Sequence, residues 1–494
     1  MSTFENSLAH AQARDTADTL RAFRTEFHFP QRDGRDVLYF TGNSLGLQPK
    51  AAADALKQEL DDWARFGVEG HFQAKHPWYS YHEELTPSLA RLVGALPEEV
   101  VAMNQLTSNL HFLMVSFYRP GGTRRKILTE TRPFPSDTYA FASQIAFHGG
   151  DPATDLIEVQ PRAGEHTLRT EDIVAKINEL GGELALVCFG GVNFYTGQAF
   201  DMAAITRAAH AVGATAGFDL AHAAGNLHLQ LHDWNVDFAC WCSYKYLNSG
   251  PGSVAGAFVH QRHLGKDLKP AQGLPRNEGT LSEKAASPAG SLSGDPTEVP
   301  SLAGSLSGDP TEVPKAASPV GSLSGDPTEV YLGNGLPLFA GWWGHDKSER
   351  FKMERTFKPM PTAEAWQVSN APVFSMAVHR VALELFDRAG IANLRAKSEQ
   401  LTAYLAFIIA EVAQRTGTQL EVITPSDPMQ RGCQLSILAH GHGKALFNRI
   451  TERGVVADWR EPNVIRMAPV PMYNSFEDVW RFGQILNECL VGSH

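Results

Sequence analysis

Short apolar runs separated by stretches of helical periodicity dominate the middle of this chain. Five of them, Lys126–Thr129, Asp155–Val159, Leu184–Phe189, Ala214–Asp219 and Asp237–Cys242, are mostly apolar along their length. Strands buried on both faces read this way, whereas half-exposed strands alternate. Between them, Ser136–Ala146, Thr170–Leu180 and Met202–Val212 repeat apolar residues at helical spacing. The alternation predicts an α/β fold, a mainly parallel sheet covered by helices. Upstream, the pattern predicts a polar helix over Asn6–Phe27 and a strand over Asp36–Phe40. Helical spacing follows over Pro49–Phe66 and from Tyr79, then a strand over Glu98–Met103 and an apolar helix over Leu110–Phe117. Downstream, a long helix over Ser375–Arg415 leads into a small α/β unit. Its strands are Glu421–Thr424, Gln434–Leu438 and Asn463–Ala468, with a helix over Lys444–Arg453.

Residues 271–330 break this pattern. The decamer G-S-L-S-G-D-P-T-E-V occurs three times, from Gly290, Gly304 and Gly321, and Lys-Ala-Ala-Ser-Pro recurs at Lys284 and Lys315, so a block of 31 residues has been duplicated. With eight prolines, eight glycines and no aromatic residue, the stretch cannot bury enough apolar surface to offset its ordering entropy. It reads as a disordered, surface-exposed insertion without catalytic residues. The expected organisation is therefore an N-terminal segment (1–50) packing with the small domain, a large domain (51–270), the insertion (271–334), a return to the large domain (335–375) and a small C-terminal domain (376–494).

The net charge of −11 argues against a nucleic-acid partner, which would select a basic face. No apolar window approaches the ~18 residues of a membrane span. The start of the chain lacks a basic stretch followed by an apolar one, so a cytoplasmic protein is expected. Five cysteines, none with zinc-ligand spacing, predict buried free thiols and no metal centre.

Ligands of parallel sheets bind beyond the carboxyl ends of the strands. Those ends carry Phe134-Pro135-Ser136-Asp137, Gly190-Gly191-Val192-Asn193, Asp219-Leu220-Ala221-His222 and Ser243-Tyr244-Lys245. A lysine directly behind a buried strand is costly unless it is paired, surface-bound or chemically used, and a desolvated amine is how a lysine becomes a Schiff-base former. Pyridoxal phosphate needs such a lysine, an acid for its ring nitrogen, a flat group against its ring and donors for its phosphate. Lys245, Asp219 and Phe134 supply the first three. Thr107 at a helix start, Tyr244 and His222 are candidates for the phosphate and the ring hydroxyl. Arg466, on the last apolar strand, is either ion-paired in the core or a two-pronged carboxylate clamp.

Seven stretches resemble the kynureninase family of fold-type-I pyridoxal-phosphate enzymes: T-G-N-S-L-G (Thr41–Gly46), L-T-S-N-L-H (Leu106–His111), F-P-S-D (Phe134–Asp137), D-L-A-H-A-A-G (Asp219–Gly225), S-Y-K-Y-L-N-S-G-P-G (Ser243–Gly252), G-W-W-G-H (Gly341–His345) and I-R-M-A-P-V-P-M-Y-N (Ile465–Asn474). The resemblance covers about 1–270 and 335–494; family members bridge the intervening gap with a much shorter segment. It implies a seven-stranded, mainly parallel sheet and a homodimer with its active site near the subunit interface. The implied reaction is hydrolysis of L-kynurenine, or 3-hydroxykynurenine, to anthranilate and L-alanine in tryptophan catabolism and NAD biosynthesis. It further implies that Lys245 carries the cofactor, that Asp219 pairs with its ring nitrogen and that Phe134 stacks on its ring. Leu106, Thr107, Pro135, Ser136, Asp137, His222, Tyr244, Trp343 and Asn370 would complete the pocket, some from the partner subunit. Arg466 would hold the substrate carboxylate, and Ser44, His71 and Asn370 would recognise the aromatic ketone end. Tyr244 is the candidate proton relay, by its place beside Lys245. Two alternatives remain at this stage: a cysteine desulfurase or selenocysteine lyase, with Cys433 as the only candidate nucleophile, and a non-catalytic scaffold of the same fold.

Overall fold

The computed structural model describes residues 4–265, 336–353 and 357–491. The predicted repeat insertion lies outside these residues. Seven strands form the main sheet: β1 (Val100–Ala102), β2 (Lys126–Glu130), β3 (Leu156–Val159), β4 (Leu184–Gly190), β5 (Thr215–Asp219), β6 (Phe238–Trp241) and β7 (Gly256–Val259). They lie in the order β1-β7-β6-β5-β4-β2-β3. The run from β6 to β3 is parallel, and β7 is antiparallel to both its neighbours. The strands are buried along most of their length, which is why they read as continuous apolar runs. The parallel run also sets the carboxyl ends of β2, β4, β5 and β6 along one edge, where crossover loops leave room for a ligand.

A second sheet is built from β8 (Leu420–Val422), β9 (Leu435–Ala439), β10 (Asp458–Arg460) and β11 (Val464–Met467), antiparallel throughout in the order β8-β9-β11-β10. The N-terminal segment joins this sheet's surroundings: Leu38–Tyr39 pairs in parallel with Val455–Val456, and Thr41 bridges Ala468. A separate apolar core gathers here, in which Phe40, Tyr404, Ile408, Met467 and Phe482 are buried together.

Two predicted elements need correction. The helix over Asn6–Phe27 is a shorter one, Leu8–Ala17, followed by a 3₁₀ turn at Arg21–Glu26. The helix over Ser375–Arg415 is two, Val373–Ala389 and Ile391–Thr416, parted at Gly390, whose φ of 74° a helix interior cannot hold. β7 follows the glycine-rich Asn248–Gly252 turn and was missing from the predicted strands. All five cysteines are buried and none is in a disulfide.

Candidate active site

β6 ends at Trp241, and the chain turns at once into Ser243-Tyr244-Lys245. The turn is tightly closed: the Asn248 amide donates to the Lys245 carbonyl at 3.0 Å and the Ser249 amide to the Ser243 carbonyl at 3.1 Å. Ser249 Oγ lies 2.7 Å from Nδ1 of the buried His379, which anchors the turn to the helix Val373–Ala389. From the opposite side comes Thr41–Gly46. The Gly46 amide donates to the Tyr244 carbonyl at 2.9 Å, and a Cβ on Gly46 would stand 2.3 Å from the Lys245 carbonyl oxygen. Only glycine permits that approach.

The Lys245 side chain is only 8% exposed. It points into a cavity of about 150 Å³ lined by Leu106, Thr107, Phe134, Ser136, Asp137, Asp219, His222 and Tyr244, all expected from sequence, and also by Glu130 and Phe194. Lys245 Nζ lies 3.1 Å from His222 Nε2, 5.7 Å from the centroid of the Phe134 ring and 5.8 Å from that of Tyr244. Burial, with the charges of Lys245, Arg466 and Arg460 nearby, holds the His222 pKa well below its ordinary value. The imidazole is therefore neutral and Nε2 accepts from the ammonium. Burial raises the Tyr244 pKa, so its phenol keeps its proton.

Asp219, at the end of β5, accepts from the Ala221 amide at 2.7 Å. Asp137, in the first turn of the helix Pro135–Phe147, is buried against it. Burial raises the pKa of both, and the charge of Asp219 raises Asp137 further, so Asp137 is the member that carries the proton. Glu130, at the end of β2, is a third buried acid, and burial pushes it up to about 7.

The residues fit pyridoxal phosphate on features of the protein alone. Asp137 Oδ1 and His222 Nδ1 are buried with no hydrogen-bond partner. The helices Leu106–Phe117 and Pro135–Phe147 both start without a side-chain cap, leaving amides free for an anion. Their first turns meet where Thr107 Oγ1 and Ser136 Oγ lie 2.7 Å apart. Pro135 occupies the first helical position, where its missing N–H costs nothing.

Other expected residues lie outside this cavity. Arg466, on β11, is 1% exposed and donates from Nη1 to the Phe194 carbonyl at 2.6 Å, from Nη2 to Ser44 Oγ at 3.3 Å, and to Asp458 in an ion pair. Its Nε is buried with no partner. Through Phe194 it backs onto the cavity wall. Trp343 is buried beside Tyr79 and Arg350, Asn370 is exposed, and His71 Nδ1 faces the Val68 carbonyl at 2.9 Å. None of these three lines the Lys245 cavity. Two clusters with metal-like composition occur among the described residues. In one, Glu99 Oε1 already accepts from the Gln261 amide at 2.8 Å and lies 2.9 Å from His232 Nδ1. The other already holds a cation, Lys347, between Glu83 and Glu364.

Sequence comparison matches residues 38–286 to the aminotransferase class-V model and residues 394–486 to the kynureninase C-terminal domain. A protein named kynureninase in Flavobacterium psychrophilum is 47% identical over 488 residues, 99% of each chain. Another so named, in Myxococcus xanthus, is 48% identical over 98% of this chain and 97% of its own. Among solved structures, a C-DES variant with glycine covalently linked to its pyridoxal phosphate superposes with a TM-score of 0.67 over 91% of this chain and 96% of its own, at 15% identity, which speaks to the fold alone.

Proposed function

We infer the reaction from a premise the full-length relatives supply: this chain belongs to the kynureninase family, and its activity is the pyridoxal-phosphate-dependent hydrolysis of L-kynurenine at the Cβ–Cγ bond, giving anthranilate and L-alanine. The cofactor, when bound, supplies an aldehyde that condenses with amines and a ring that withdraws electrons from the carbons next to them. The observation that carries the reading is the Lys245 cavity, where one amine, a carboxylate pair and two uncapped helix starts converge.

Each side chain then has a physical task. Lys245 would hold the cofactor through Nζ and would move a proton at the substrate α-carbon. His222 Nε2 holds the lysine in position by accepting its hydrogen bond. Asp219, backed by the proton on Asp137, would supply the negative charge that keeps the cofactor's ring nitrogen protonated. Phe134 would cover the ring face. Thr107, Ser136 and the amides behind them bind the phosphate. Tyr244, protonated because it is buried, is placed to return a proton. Arg466 binds the substrate carboxylate, with its unpartnered Nε as the remaining donor.

The desulfurase alternative fails on its nucleophile. Cys433 is fully buried and its thiol is pushed up to about 12, so it has neither the exposure nor the thiolate that sulfur chemistry requires. Adding L-kynurenine and pyridoxal phosphate to the purified chain should produce anthranilate fluorescence, and the bound cofactor's visible absorption should change on mixing. A protein that binds the cofactor yet gives neither signal is a scaffold rather than this enzyme.

The active assembly is a homodimer in this reading. Leu60, Trp63, Val68 and Phe72 expose a large apolar surface in the segment that carries His71, and Trp342 and Phe351 are exposed beside Trp343. Such surfaces in a stable protein are covered by a partner. A second copy would bring Trp343, Asn370 and His71 to a site that the Lys245 cavity leaves open on one side. Light scattering should return the mass of two chains, and Trp63→Asp should halve it.

A further inference from the structure

Glu130 is a partition. On one side it lines the Lys245 cavity; on the other it lines a second cavity of about 340 Å³, whose wall includes Arg132, His166, Tyr195 and Glu461. Phe194 is the other residue common to both walls. The carboxyl is held firmly: the Gly190 amide donates to both oxygens at 3.1 Å, and Thr129 Oγ1 donates to Oε2 at 3.1 Å. A Cβ on residue 190 would stand 2.8 Å from Oε1, so the bare backbone of β4 is what admits the acid. All these partners are neutral, and none removes the cost of a buried charge.

The groups that face Glu130 come from four directions. Cys188 lies on β4, Asp137 on the helix after β2, and Asp219 at the end of β5, with Lys245 beyond them. The outer cavity brings Arg132, Glu165, His166 and Glu461 to its wall, with His166 paired to Glu421 and Glu165 to Arg169. On β3 the residue opposite is Val159, which brings no charge.

We propose that Glu130 is a positioning residue that carries one exchangeable proton for the carboxylate pair beneath the cofactor, taking it from and returning it to the outer cavity. The inference rests on the cofactor reading above. It separates the two faces of the site: the Lys245 cavity is filled by the cofactor, while Glu130 stays reachable from behind. Burial and the charge of Asp219 set its exchange near neutrality, at about 7. Below that pH Glu130 is protonated and the cluster is one charge less negative; above it the extra charge lies next to Asp137 and Asp219, on the side of the ring nitrogen. The electronic state of the bound cofactor and its retention then both follow pH through this step.

The test is a pH titration of the holoenzyme's visible absorbance and of its cofactor dissociation constant, in wild type, Glu130→Gln and Glu130→Asp. We expect a step near pH 7 in wild type, its loss in Glu130→Gln, and its return at a shifted pH in Glu130→Asp. A glutamine variant that binds cofactor and titrates like wild type overturns the proposal without touching the cofactor reading; failure of wild type to bind cofactor overturns that reading instead. If Glu130→Gln does not fold, wild-type holoenzyme carrying ¹³C only at its glutamate carboxyls decides by infrared difference spectroscopy. Disappearance of a protonated carboxyl band as pH rises through about 7 supports the proposal, and an unchanged band overturns it.

Discussion

Lys245→Ala loses turnover by ~10⁴-fold or more, because no other amine in the cavity can bind the cofactor aldehyde or shuttle the α-carbon proton. The visible absorption of bound cofactor is lost or shifted with it. The fold should survive. Lys245 is held by its own backbone turn, through the Asn248 and Ser249 amides, and its side chain makes a single hydrogen bond, to His222. Removing the ammonium also relieves His222 of a neighbouring positive charge that lowers its pKa. Melting temperature, cofactor spectrum and anthranilate fluorescence measured on one preparation separate the outcomes. Turnover within about tenfold of wild type would take Lys245 out of the chemistry.

Arg466→Ala produces two effects that must be read separately. The guanidinium is fully buried, and its loss leaves the Phe194 carbonyl without its donor, while Asp458 keeps Arg460 and Ser44 as partners. Because Asp458 keeps a second cation, the loss of stability stays below the about 3–5 kcal/mol of a buried charge left unpaired. At a temperature where the variant is still folded, KM for L-kynurenine rises as well, since a charged hydrogen bond to the substrate carboxylate contributes about 1.5–3 kcal/mol, or roughly 10- to 150-fold. Arg466→Lys keeps the charge but not the planar fork, so stability returns in part while KM stays high. A destabilised Arg466→Ala with unchanged KM would make this arginine a structural ion pair alone. Both readings were open from the sequence, and the geometry explains why: Arg466 is already paired with Asp458, yet keeps one buried N–H unused.

What could be read from the residues follows from burial. Strands β2 to β6 are apolar on both faces, so their pattern needed no tertiary information. β7 is short, antiparallel and enters from a glycine-rich turn, and nothing in its four residues separates it from a buried loop. The cavity residues at strand ends and helix starts were legible because parallel topology dictates where such ends meet. Glu130 was not. The predicted strand ended at Thr129, and Thr-Glu-Thr reads as an exposed turn; only the bare Gly190 backbone across the sheet makes room for a buried carboxyl there. Asp458 was missed for a related reason: its link to Ser44 joins residues far apart in sequence, and its pairing with Arg466 runs across two neighbouring strands. His71, Trp343 and Asn370 were assigned by resemblance, and no pattern within one chain tells which copy of a site they serve.

The Thr41–Gly46 turn has a consequence for how the enzyme is made. It buttresses the Lys245 turn through Gly46, yet its own support comes from the far end of the chain: the Ala468 amide donates to the Phe40 carbonyl at 2.7 Å, and Leu38 and Phe40 donate to Gly454 and Val456. A ribosome delivers the N-terminus first. Residues 38–46 must therefore wait, unpaired, until residues 454–468 emerge. Its apolar residues, Leu38, Tyr39 and Phe40, are open to chaperones or to wrong partners during that interval. Capacity to retain cofactor is then acquired only after β11 has emerged, and a nascent chain stalled short of β11 carries the reactive lysine without the brace that positions it.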